Sequence, residues 1–317
     1  MRMRKITAFC TLLFMVLSAS GQGVLPVDSI LASANRKLSS TDYLGAIREY
    51  NRILRNNPSH IAANQNRAIA KFRAGDLDGA LADAQTTVKL DHANKEAHFI
   101  IGEILLGQEK YKPALDEYEA VLDSDPKNLE AFRGQVFCGY YLGKEKDAFN
   151  LVDKAIEKDN QQSIYYYIRG VLNISRGRFS KALEDLDKAL SLHPGTNEFN
   201  IYLNRGVAYI DVEENSLAIA DLNKALALQP NNASAYHSRG RLYYNMKQYD
   251  DAVKDFNRSI ELNPNNDVTY YNLGMAYFRL EDNKNACENF HKSCSMGNRN
   301  ACKMVIMNCA GPTPPVK

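Results

Sequence analysis

Tryptophan is missing from this chain, and proline supplies only 10 of its 317 residues, against 18 tyrosines. Hydrophobic residues at 45% and charged residues at 24% are ordinary soluble usage, which argues against disorder over long stretches. The tail GPTPPVK is the exception, since its prolines resist helix formation. The apolar run from Ile6 to Leu17 falls short of the roughly 20 residues of a comfortable bilayer-spanning helix. Charge of one sign is not in excess either. The net charge is +2, so the chain carries no sequence-wide basic footprint for nucleic acid.

Catalytic signatures are also absent. None of the six histidines stands in an HExxH pattern, and neither GxSxG nor CxxC occurs. The stretch GYYLGK (139–144) has one residue too few for a phosphate loop and lacks the following Ser or Thr. No catalytic, cofactor-binding or metal-binding residue is therefore nominated, and the chain is read as non-enzymatic.

The N-terminus differs from the rest. Arg2, Arg4 and Lys5 precede the apolar run, and Ala19 and Gly21 sit at −3 and −1 of a cleavage site before Gln22. This plan predicts a secretory signal peptide over residues 1–21, with an uncleaved anchor as the alternative. Its removal takes away three basic residues and no acidic ones, so the net charge moves from +2 to −1. The mature chain is then expected to be exported, periplasmic or secreted, with no stable membrane span. There the five remaining cysteines can hold disulfides.

A period of 34 residues organises the rest of the chain. Ala46, Ala80, Ala114, Ala148 and Ala182 keep it; after a two-residue insertion, Ala218, Ala252 and Ala286 resume it. Pro58, Pro126, Pro194, Pro230 and Pro264 follow the same beat. Each unit reads as two amphipathic helices, as in SAYHSRGRLYYNM followed by YDDAVKDFNRSIEL. Small residues such as Gly240 and Ala252 mark where two helix backbones approach, and the proline ends the second helix.

The stretch YYNLGMAYFRLEDNKNACENF places Tyr270, Leu273, Gly274, Tyr277, Ala286 and Phe290 at the spacings of the tetratricopeptide repeat, which the chain resembles over most of its mature length. The first unit, with Ala34 and Lys37, and the fourth, with Val136 in place of glycine, depart from that pattern. The resemblance implies an all-α fold: a right-handed α-solenoid of about eight helix-turn-helix units over 22–298. A capping helix and Pro-rich tail over 299–317 would close it.

The repeats also compare with one another. Arg67, Arg169, Arg205 and Arg239 occupy one position, and Asp83, Asp185, Asp221 and Asp255 follow each by sixteen residues. Units without the Arg lack the Asp too: Ile101 with Glu117, Gln135 with Leu151, Leu273 with Asn289. Paired loss predicts an Arg–Asp bond between the two helices of a unit; a row of catalytic carboxylates is the competing reading.

Four cysteines close the chain. Cys287 and Cys294 lie two turns apart on one helix, about 10 Å, so they cannot share one zinc; Cys302 and Cys309 repeat the spacing. An antiparallel hairpin would bring Cys294 beside Cys302 and Cys287 beside Cys309, predicting two nested disulfides against an alternative of buried thiols. KSCSMGNRNACKMV is similar to the C-x7-C helical hairpins of secreted cysteine-rich solenoids, which implies the Cys294–Cys302 pair more strongly. Cys138 is expected to pack within the fourth unit.

By the same family resemblance, a partner would lie along the first helices. The positions so implied are Arg133, Tyr140, Tyr167, Leu203, His237, Arg241, Tyr244, Tyr271 and Phe278. This apolar, aromatic stripe with cationic points suits an extended peptide or an amphipathic helix with acidic groups. At the places of the chaperone-tail clamp stand Leu31, Asn35, Asn66, Glu96 and Ile100, without its cations, so chaperone-tail binding is not expected. The chain reads as a protein-interaction scaffold or adaptor of an envelope or secretion complex. An envelope regulator or cryptic hydrolase and a homotypic assembly module are the alternatives.

Overall fold

The computed structural model describes residues 26–192 and 195–309, so the predicted signal segment, Pro194 and the Pro-rich tail lie outside the described residues. Those residues contain α-helices and no strand. They form two compact units, one ending at Ile104 and the other beginning at Leu105. The first holds α1 (Val27–Ser39), α2 (Tyr43–Asn56), α3 (Ile61–Ala74), α4 (Leu77–Leu90) and most of α5 (Lys95–Gly107). The second holds α6 (Tyr111–Ser124), α7 (Leu129–Tyr141), α8 (Glu145–Lys158), α9 (Ser163–Ser175), α10 (Phe179–Ser191) and α11 (Glu198–Asp211). It continues with α12 (Asn215–Leu228), α13 (Ala233–Asn245), α14 (Tyr249–Leu262), α15 (Asp267–Arg279), α16 (Asn283–Ser295) and α17 (Arg299–Met304). A short π-helical turn, Val305–Cys309, succeeds α17.

Each odd-numbered helix from α1 to α15 starts a repeat. In the later units an asparagine turns the chain into it: Asn232 and Asn266 accept from the backbone N–H of Ala235 and Thr269. Within a pair, the small residue on the first helix lets the second approach. A Cβ on Gly240 would sit 2.8 Å from the Phe256 ring, and one on Gly274 2.6 Å from Phe290. In the fourth repeat, where Val136 takes the usual glycine place, Val136 is itself buried, and Gly134 gives clearance toward the preceding repeat, against Tyr118 of α6.

The turn inside each hairpin is not evident from the repeat pattern. The residue between the two helices has positive φ in all eight repeats: Thr41, Gly75, Glu109, Gly143, Gly177, Glu213, Lys247 and Glu281, with φ between 58° and 85°. Five of the eight carry a side chain in a backbone region that costs an L-residue roughly 1–2 kcal/mol. The sharp turn is thus imposed by the packed helices on either side rather than by glycine alone.

At the C-terminus, α16 and α17 form the expected hairpin around Gly297. It brings Cys294 to Cys302 and Cys287 to Cys309 at disulfide-bonding distance, with Cα separations of 4.7 and 5.5 Å. Cys138 is fully buried in the second unit, as expected. No helix among the described residues is long and apolar enough to cross a membrane.

Candidate partner-binding groove

All nine proposed groove residues lie on the first helices of the second compact unit, α7, α9, α11, α13 and α15. Eight of them keep exposed surface. Arg133 is half-buried and pairs with Glu130 at 2.8 Å. Tyr140 meets Tyr141 edge-on, and Tyr141 stacks on Tyr111 with centroids 4.8 Å apart. Leu203 packs against two core clusters, each built from α11, α12 and α13. Tyr167 is the correction. It is only 7% exposed and packs in a core with Val152, Ile164, Ile168 and Leu186. Its ring lies close enough to α7 for Arg133 and Glu130 to act on the phenol, although burial is what mainly raises the pKa. Tyr167 therefore supports the groove wall and offers no surface.

The C-terminal part of the stripe converges. Arg241, Tyr244, Tyr271, Asn272 and Met275 surround a cavity of about 240 Å³ floored by Phe256. Three of these, Arg241, Tyr244 and Tyr271, are groove positions implied by the family resemblance. His237 stands behind them, its Nδ1 2.9 Å from the Thr269 hydroxyl, and so ties α13 to α15. Burial, helped by the Arg241 charge, pushes the His237 pKa down to about 4, so the ring is neutral at pH 7. Tyr244 accepts a hydrogen bond from Arg279 Nε at 3.2 Å. Arg241 Nη2 lies 3.5 Å from Asp211, a long contact.

The Arg–Asp repeats lie on the packed side of the same helices. Arg205 donates from Nε and Nη2 to Asp221 at 2.7 and 2.8 Å, and Arg239 to Asp255 at 2.7 and 2.9 Å. Arg67–Asp83 and Arg169–Asp185 repeat the arrangement. The four aspartates are 5–6% exposed and each faces a bidentate guanidinium. This is the structural bond, and the catalytic reading of these carboxylates finds no support in it. Sequence reasoning missed the third arm. Nη1 of each arginine reaches back to the preceding repeat: Asn51, Asp153, Asp187 and Asn223, at 2.6–2.8 Å. The polar residue sixteen positions before three of the arginines was the available signal; the insertion shifts it to eighteen before Arg205. Tyrosines flank the cation too, with Arg239 5.5 Å from the Tyr236 centroid and 5.9 Å from Tyr243.

In the first compact unit, the two asparagines at clamp positions are engaged internally. Asn35 Oδ1 accepts from the Tyr50 hydroxyl at 2.7 Å and from Asn66 Nδ2 at 3.0 Å.

Comparison with known families agrees with this architecture. Profiles described as tetratricopeptide repeat match residues 65–128, 233–266 and 256–288, and one described as TPR repeat matches 208–247. Residues 65–128 and 208–288 are tetratricopeptide repeats. Among solved structures, a tetratricopeptide repeat protein from Parabacteroides merdae shares the fold at a TM-score of 0.64 and 18% identity, over 79% of this chain and 98% of that one. Among similar sequences, small glutamine-rich tetratricopeptide repeat-containing protein 2 of Mycosarcoma maydis is 28% identical over 109 residues, 34% of this chain and 31% of its own. The mitochondrial import receptor subunit TOM70 of Homo sapiens is 31% identical over 155 residues, 46% of this chain and 26% of its own. The matches span about a third or less of these two relatives' own lengths.

Proposed function

We propose that this repeat protein is an exported, non-enzymatic adaptor that holds a segment of a partner protein along its first helices, within an envelope or secretion complex. The observation that carries the reading is the open, partly apolar row from Arg133 to Phe278, which ends in the cavity between α13 and α15. Such a surface offers an extended segment a row of partly exposed side chains and one apolar cavity, which suits a peptide. Two further features support export. The N-terminal segment has the plan of a signal peptide, and the four C-terminal cysteines stand in two pairs at disulfide distance. We take both pairs to be oxidised in the exported protein. The import receptor among its relatives accords with a polypeptide-binding role.

The test is affinity capture from envelope and secreted extracts, with the native protein beside a Tyr140→Ala, Tyr244→Ala, Phe278→Ala variant whose helicity is checked by circular dichroism. The reading expects a partner held by the native protein and lost by the variant. Equal capture by both would move the binding surface off the first helices.

A further inference from the structure

Arg241 differs from the four arginines of the Arg–Asp repeats. In Arg67, Arg169, Arg205 and Arg239, the edge formed by Nε and Nη2 is filled by an aspartate of the same chain. In Arg241 no aspartate grips both atoms of that edge. Its Nε is buried without a hydrogen-bond partner, singled out in this among the described residues. Its Nη2 has only the 3.5 Å contact with Asp211, and its side chain remains 38% exposed. A buried donor left without an acceptor is unfavourable, and nearly all such groups in folded proteins find one. The same guanidinium helps to line the 240 Å³ cavity, whose other walls are Tyr244, Phe256, Tyr271, Asn272 and Met275. That volume is below the roughly 300 Å³ at which small-molecule sites begin, and it suits one apolar side chain. His237, neutral at pH 7, adds no second cation there.

We propose that this cavity is an anchor for an internal peptide segment carrying an apolar side chain and, two residues away, an aspartate or glutamate. The apolar side chain fills the cavity, and the carboxylate pairs with the exposed part of the Arg241 guanidinium, whose side chain is 38% exposed. Two residues is the spacing because alternate side chains of an extended segment share a face, roughly 7 Å apart. Charge complementarity selects the acid: Arg241 is the charged group in the cavity wall. The inference rests on the groove reading and adds the chemistry of what the groove selects.

A displayed library of random internal peptides, with no free C-terminus, would be sorted against the purified protein and against Arg241→Gln. The native protein should enrich an apolar-x-acidic pattern. An enriched peptide, resynthesised with blocked ends, should bind at least tenfold more weakly when its acid becomes the amide, a change that leaves the protein untouched. Arg241→Gln should bind the acid and amide forms equally. Enrichment of apolar peptides without the acid, or an acid-to-amide change without effect, overturns the anchor but leaves the groove reading standing. Binding that requires a free C-terminal carboxylate also overturns it, since the occupant would then be a chain end. Enrichment of no peptide at all overturns both readings.

Discussion

At the scale of single residues, Arg205 and Arg239 each hold three helices at once. The fork grips an aspartate on the second helix of its own repeat, while Nη1 crosses to the repeat before. Removing one partner strands a largely buried charge, whereas removing both need not. Repeat eight already shows the neutral solution, with Leu273 buried and Asn289 turned to the backbone carbonyl of Asn285. Asp255→Ala should therefore cost about 3 kcal/mol in urea unfolding. The double change Arg239→Leu, Asp255→Asn should cost clearly less, so the two sites should be strongly non-additive. Additive losses would show that the pair does not act as one.

His237 makes a pH-dependent contribution whose sign comes from its environment. Folded, its pKa is pushed down to about 4 by burial and then by Arg241. In the unfolded chain it is about 6.5. Between those values the unfolded state binds the extra proton, so stability falls as pH drops from about 6.5 toward 4, and is fully present above that window. The loss at pH 5 should be on the order of 1–2 kcal/mol. Denaturation midpoints of the native protein and His237→Gln, compared at pH 7 and pH 5, should show the native protein losing more. Parallel curves would contradict it.

At the scale of elements, the helices were legible because period, proline and small residues all report the same packing. The Arg–Asp bond was legible because the repeats are their own comparison: where one partner goes, so does the other. The inter-repeat arm was not, since a lone asparagine or aspartate on a helix resembles any solvated position. The hairpin turns were hidden too, because only Gly75, Gly143 and Gly177 advertise the left-handed conformation that Thr41 or Lys247 shares without a glycine. In the cap, the two cysteine pairs at disulfide distance are separated by 8 and 22 residues in sequence, and the proposed cross-links would close those loops. By chain entropy the outer one would contribute about 3 kcal/mol. Replacing Cys287 and Cys309 by Ser should speed hydrogen exchange of α16 and α17 while leaving α9 to α12 unchanged, because a repeat array couples chiefly to its neighbours. Unchanged exchange in α16 would show that the outer link carries no stability.

At the scale of the molecule, the second compact unit presents its first helices as one row, and most of the candidate positions on that row keep exposed surface. Tyr167 does not, because its ring turns toward α7, and aromatic residues at helical spacing read alike whether they line a surface or a core. What the cavity selects was not legible at all. It depends on how Arg241 is partnered and on what surrounds it, and that is settled only when α11, α13, α14 and α15 have been placed. The central claim is that a partner segment lies against the first helices. The most direct test is photo-crosslinking from Tyr244→benzoylphenylalanine on α13 and from Lys254→benzoylphenylalanine on α14, where Lys254 has a side chain 75% exposed. The account predicts crosslinks to a partner polypeptide from position 244 and none from position 254. Crosslinks from 254 alone, or equally from both, would contradict it.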